Sequence, residues 1–434
     1  MSRLRIGGGR VLRPDMSIER ADVLVDTDAG EILAIEDASD IDEGDEYLDA
    51  SDGLVMPGLV NAHTHVAMTL LRGYADDKEL DAWLQEDIWP VEAELDGDDV
   101  KVGTTLGIAE MIRSGTTAFA DMYFFMDEVA AAVEEAGMRA MLGHGCITVG
   151  KEDERAHEDF EHSLEFAREY DGYADGRVRT MFTPHSLTTV DRKFYEEYVP
   201  VARKEGIPIH IHANETTNEV EPLVERYGTR PLDYADGLDL LAEDSFIAHG
   251  VHVDEREREL LAETGTAVIH CPASNMKLAS GMAPIQKMLE AGVPVGLGTD
   301  GAASNNDLDM FDEMRDAAMV GKLATMDASA VPADAVVRMA TQGSADALGF
   351  DSGRIEVGTN ADIAVIDFSG EHLTPRHDLV SHLAYAVKGS DVRHTVCDGE
   401  VLMENRELQT MDLDTVKREA TEHAEALIDR ASAH

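Results

Sequence analysis

Lysine is scarce in this chain, with 10 residues among 434, and cysteine scarcer still, with three. Cys146, Cys271 and Cys397 lie far apart and form no CxxC pair. That pattern excludes a disulfide framework and a thiolate zinc site, and it fits a reducing compartment. No run of about 18 apolar residues occurs, and the opening MSRLRIGGG has no apolar stretch of the signal-peptide kind. A soluble, cytoplasmic protein is expected. Positive charge is in short supply too: 36 Lys+Arg stand against 87 Asp+Glu, for a net charge of −51. Such a surface repels phosphate backbones and anionic lipid, so nucleic acid and membranes are not expected partners. No internal repeat or low-complexity tract is present.

The acidic residues are spread along the chain and interrupted by apolar segments, which argues against a disordered acidic protein. The pattern is that of a salt-adapted surface, whose self-repulsion is screened when ionic strength is high.

Both ends of the chain read as short strands with tight turns. Segments 21–26 and 31–36 flank a turn at 28–30, while 361–367 and 394–397 lead to a second turn at Asp398-Gly399. Neither end has enough apolar surface for its own core. The two are therefore expected to pair as one discontinuous β-sandwich domain, residues 1–56 with 359–410. A charged helix is expected over 411–434. Between them, residues 57–358 alternate short apolar strands with longer amphipathic helices. Strands are expected at 54–60, 116–121, 139–145, 178–183, 207–212, 246–249, 267–270 and 295–299. Helices are expected at 99–113, 191–205, 255–264 and 309–322. Eight strand-then-helix units point to an α/β protein built on a (β/α)8 TIM barrel.

Histidines gather at the predicted strand ends: His63 and His65, His185, His210 and His212, His249 and His270. In such a barrel the catalytic groups collect at that face. Residues i and i+2 of a strand point the same way, so His63 and His65 can share one metal. His212 and Asp300, each closing an apolar strand, are the best further ligands. Three imidazoles and a carboxylate, with one position left for water, describe a catalytic zinc site. Spacing alone does not choose between His210 and His212, which share a strand face.

The chain resembles the amidohydrolase superfamily, and within it the 5′-methylthioadenosine/S-adenosylhomocysteine deaminases and their chlorohydrolase relatives. The resemblance runs through PGLVNAHTH (57–65), MTLLRG (68–73), HIHANET (210–216), HCPASNMKLASG (270–281), GTDGAASNNDLDMF (298–311) and GRIEVGTNADIAVID (353–367). It implies His63, His65, His212 and Asp300 as metal ligands, with His210 in a supporting role. It implies Glu215 as the proton donor to the ring, three residues past His212. It implies His249 facing the reacting water, and Asp300 accepting that water's proton. Glu92 and His185 match substrate-contacting positions, Glu92 at the ribose hydroxyls, with Glu94 an alternative nearby. Strand four carries no lysine near its end, so one divalent metal is expected, zinc first, with iron or manganese open. His270 and Cys271 are expected to line or pack the site wall.

One departure from the family bears on substrate. Members that accept S-adenosylhomocysteine hold its carboxylate partly through arginines after strand three and in the following helix. Here His144 stands at the first of these positions, and only Arg155 follows, in a shifted context. A carboxylate tail without an arginine fork is poorly held. The expected activity is thus hydrolytic deamination of an adenosine analogue, with methylthioadenosine or 5′-deoxyadenosine favoured over S-adenosylhomocysteine. Action on another aminated heterocycle, such as guanine or a triazine, is the alternative. A non-catalytic scaffold would have lost ligands, and here every position is filled. A homo-oligomer is left open.

Overall fold

The computed structural model describes residues 2–433. Parallel strands Leu59–Thr64, Thr116–Tyr123, Arg139–Cys146 and Val178–Thr180 pair in sequence order, with Thr183–Pro184 also on the third. A second run, His210–Ala213, Phe246–His249, Ala267–His270 and Val295–Leu297, pairs likewise. Parallel bridges Phe182↔Ile209 and Ser186↔His212 join the two runs. On the other side, Asp300 N donates to His63 O at 3.0 Å and Thr299 N to Asn61 Oδ1 at 3.0 Å. Together these make the (β/α)8 barrel. Its strands are apolar and buried on both faces, as a parallel sheet covered by helices requires.

Two expected strands are cut differently. The segment 54–60 divides at Gly58 into Gly53–Pro57, which belongs to a terminal sheet, and the first barrel strand, Leu59–Thr64. Continuous hydrophobicity hid that change of sheet. The fourth barrel strand is broken between Thr180 and Thr183.

The sequence helices form where capping chemistry allows. Gly97–Arg113 starts with a capping box between Asp96 and Asp99, and Glu255–Thr264 with one between Asp254 and Glu257. Each such pair satisfies backbone N–H groups that the first helical turn leaves unpaired.

Both chain ends contribute to a pair of sheets. One orders Glu31–Glu36, Asp22–Asp26, Arg3–Gly7 and Glu46–Asp49. In the other, Ile363–Asp367 lies antiparallel on Gly53–Pro57, with Val365 opposite Val55. Leu4, Ile6, Val23, Val55, Ile363 and Val396 form the shared core of the two sheets. The last helix, Leu413–Ser432, docks on Gly97–Arg113 through the buried Asp99, which accepts from His423 Nδ1 at 2.8 Å and from Arg430. No helix among the described residues is long and apolar enough to cross a membrane.

Candidate active site

The strand ends bring His63, His65, His212, His249 and Asp300 to one point. The ligand nitrogens of His63, His65 and His212 all lie within 4.8 Å of one another, as do those of His63 and His249 with an Asp300 oxygen. Gly298 permits this closeness, since a Cβ there would sit 2.7 Å from both the N and the O of His63. His249, Asp300 and Asn214 close their strands at φ of 72°, 62° and 58°. These are residue types that tolerate left-handed backbone better than most, although it still costs energy at each.

Hydrogen bonds fix the tautomers. The carbonyl of Phe246 can only accept, so His210 donates to it from Nδ1 at 2.9 Å and, being neutral, offers a lone pair at Nε2. His63 Nδ1 lies 2.8 Å from that Nε2 and must donate, which leaves His63 Nε2 as a bare lone pair. His65 Nδ1 donates to Met122 O and His212 Nδ1 to His185 O, each at 2.7 Å. All three Nε2 atoms therefore carry lone pairs. Burial keeps these rings in that neutral form: His63 is pulled down to about 4, His65 is lowered, and His212 falls well below the ordinary range.

Asp300 faces the same point. Its Oδ2 accepts from Ser274 Oγ and Ser304 Oγ at 2.7 Å each, and its Oδ1 lies 3.4 Å from His63 Nε2 and 3.3 Å from His65 Nε2. Burial opposes its ionisation, and the two serine hydroxyls that donate to Oδ2 favour it. His63 Nε2 is buried with no hydrogen-bond partner. Lone pairs and an ionised oxygen turned on one another repel unless a cation lies between them. The donor set fits a divalent metal, with the neutral imidazoles and outer hydrogen bonds such a site needs.

Around this point lies a cavity of about 160 Å³. Glu215 lines it, with Oε1 3.4 Å from Ser280 Oγ and Oε2 3.6 Å from His249 Nε2. Burial raises its pKa. Glu92, on the turn Trp89–Glu92, accepts from Tyr123 OH at 2.6 Å, and burial pushes it up to about 7. His185 is pulled down to about 3 by burial and lies 2.9 Å from Thr189 Oγ1. Both line the cavity, and Glu94 does not. His144 and Arg155 do not reach it either: His144 packs against the ring of His162, and Arg155 is exposed on the helix Asp153–Tyr170. His270 and Cys271 are buried behind the wall and contribute no lining surface.

Several participants were not singled out in the sequence. Asn275 Oδ1 lies 3.0 Å from His249 Nδ1. Glu219 accepts the Glu215 N–H at 2.8 Å and is pushed up to about 8 by burial. Ser274, Ser304 and Tyr123 complete the shell. Ser274 and Asn275 lie inside HCPASNMKLASG and Ser304 inside GTDGAASNNDLDMF, whereas Glu219 and Tyr123 lie in neither.

A parallel barrel whose strand ends gather three imidazoles and a carboxylate around one cation position is the architecture of a metal-dependent hydrolase. Residues 54–402 match the amidohydrolase family, and the chain belongs to it. It is 66% identical over 431 residues to a 5-methylthioadenosine/S-adenosylhomocysteine deaminase of Haloarcula marismortui, covering 99% of this chain and all of that one. A 5′-deoxyadenosine deaminase of Methanosarcina mazei is 46% identical over 430 residues, covering 96% and 99%. Among solved structures, a zinc-bound adenosine deaminase from Xanthomonas campestris superposes with a TM-score of 0.93 at 38% identity, covering 100% and 99%. The salt-adapted surface fits a haloarchaeal relative.

Proposed function

We propose that the protein hydrolytically deaminates the purine of an adenosine analogue with an uncharged 5′ substituent, such as 5′-methylthioadenosine or 5′-deoxyadenosine. His63, His65, His212 and Asp300 would hold one metal ion, zinc by analogy with the zinc-bound relative. Bound there, the metal supplies Lewis acidity and lowers the pKa of a coordinated water toward neutrality.

The residues do the rest. The Asp300 carboxylate, held by donation from Ser274 and Ser304, accepts a proton from the attacking water. His249 Nε2 offers the lone pair that orients that water. Glu215 must begin protonated to serve the ring nitrogen beside the amine-bearing carbon, and its burial favours that state. It delivers the proton from Oε2, which makes the carbon electrophilic. A C–O bond forms, the C–N bond breaks, and the amine leaves as ammonia after taking up one of the water's protons, while the second, released as the carbonyl forms, replaces the proton that Glu215 gave up. Glu92 would hold the ribose hydroxyls and His185 the purine, fixing the ring against Glu215.

One observation carries the substrate reading: Glu92 and the metal-binding cluster line the same cavity, and no lysine or arginine lines it with them. Leu84, Ile88, Phe124 and Ile147 supply apolar wall instead. An amino-acid carboxylate finds no cation there, and a free base would leave Glu92 without a partner. Three buried, unpaired cysteines support a cytoplasmic setting.

Ammonia release from metal-loaded protein in concentrated KCl tests the reading. The panel is methylthioadenosine, 5′-deoxyadenosine, adenosine, S-adenosylhomocysteine and guanine. Turnover of the uncharged adenosines well above S-adenosylhomocysteine is expected. Turnover of guanine alone would overturn the assignment.

A further inference from the structure

A second concavity, of about 220 Å³, sits in the two-sheet region and shares no lining residue with the active site. Three arginines face it: Arg10, Arg20 and Arg376. The chain has 87 acidic and only 36 basic residues, so an arginine without a carboxylate partner is unexpected. Yet the side chains of Arg10 and Arg20 make no hydrogen bond or ion pair with any described residue.

The strand register sharpens the point. Arg10–Leu12 pairs antiparallel with Ile18–Glu19, with Val11 opposite Glu19 and Leu12 opposite Ile18. Arg10 and Arg20 lie just beyond these pairs, and both line the concavity. Arg376 stands on another wall, held by donation from Nη2 to Phe368 O at 2.6 Å, with Nη1 3.5 Å from Asp52 Oδ1 on the rim. The floor is the Gly8-Gly9 turn. Gly8 has φ +85°, and a Cβ there would come 2.7 Å from Ser51 Oγ, while one on Gly9 would come 2.6 Å from Ala50 O. Side chains are excluded from the floor, and Arg10, Arg20 and Arg376 line the space beside it.

We propose that this cavity is an anion site for a phosphate group, either inorganic phosphate or the phosphate of a small phosphomonoester. Guanidinium groups match the oxygens of such a group, several at once. Bound there, it would supply the negative charge that Arg10 and Arg20 lack. A single carboxylate, Asp52, opposes it, and Arg376 already compensates that one. The site is independent of the deamination chemistry.

The test follows the unfolding midpoint of the metal-loaded full chain at constant ionic strength, with phosphate replacing chloride. A parallel arm uses glycerol 3-phosphate. The midpoint should rise with one or both, and the arm that responds identifies the form of phosphate taken. The Arg10→Gln/Arg20→Gln double variant should weaken binding at least about tenfold. Arg20→Glu, which puts a carboxylate where a cation lined the cavity, should abolish the response. An equal response in wild type and double variant would place the anion elsewhere and overturn the proposal. So would no response to either compound, or a full response in Arg20→Glu.

Discussion

The carboxamide oxygen of Asn275 lies 3.0 Å from Nδ1 of His249, with both side chains buried. An acceptor at that distance sets the proton on Nδ1 and leaves the Nε2 lone pair toward Glu215 and the reacting centre. Asn275→Ala should therefore lower kcat by about 10- to 100-fold, as outer partners of functional histidines do, while the metal content stays the same. Asn275→Asp keeps an acceptor oxygen and should lose less. Unchanged kcat in the alanine variant would remove Asn275 from this role.

Tyr123 and Glu92 make a second coupled pair. Burial pushes Glu92 up to about 7, and the Tyr123 hydroxyl works against that rise. The ionised carboxylate is the better acceptor for two ribose hydroxyls. KM for a nucleoside should climb as pH falls through 7, and Tyr123→Phe should move that climb to higher pH. Glu92→Ala should raise KM for nucleosides far more than for free bases. Steady-state kinetics across pH reads all three.

Stability should depend on pH through Glu219 and Asp309. Burial lifts them to about 8 and about 6, above the ordinary carboxylate value. Such groups contribute stability that is full below the unfolded pKa and lost as pH rises through the folded one. The urea midpoint should fall between about pH 4 and pH 8 on this account. Glu219→Gln mimics the protonated form and keeps an acceptor for the Glu215 N–H. It should flatten the upper part of that fall and exceed wild type at alkaline pH.

Removing the metal should lower the unfolding midpoint, because three lone pairs and a carboxylate are then left facing one another. Added zinc should restore it together with activity. A chelator-treated protein that unfolds at the same temperature would argue against the tautomers assigned to His63, His65 and His212.

Salt is the remaining lever. With a net charge of −51, self-repulsion dominates at low ionic strength. The unfolding midpoint should keep climbing past roughly 1 M KCl, where the Debye length is near 3 Å. A flat response would mean that the surface charge is already compensated.

The barrel was legible because its strands are short apolar runs and its helices are longer and periodic, two patterns that do not imitate each other. The metal-binding cluster was legible because His63-Thr64-His65, His212 and Asp300 each end an apolar strand. Two kinds of feature escaped. At Pro57-Gly58-Leu59 the chain passes from one sheet to another without any change of hydrophobicity, so 54–60 read as one strand. Asn275 and Glu219 act by hydrogen bonds to His249 and Glu215, and such contacts depend on how helices seat against strand ends. The resemblance left Glu92 and Glu94 as alternatives for the proposed ribose contact, and of the two Glu92 lines the cavity.

The pairing of Gly53–Pro57 with Ile363–Asp367 also sets an order in time. About 300 residues of barrel are translated between the two strands, which at ribosomal speed takes roughly 15–60 s. Throughout that interval the nascent chain carries an apolar strand with Arg10–Leu12 on one side and its other neighbour not yet made. An unpaired strand edge recruits other strands, including those of neighbouring polypeptides. That edge stays open until Ile363–Asp367 is made and closes it.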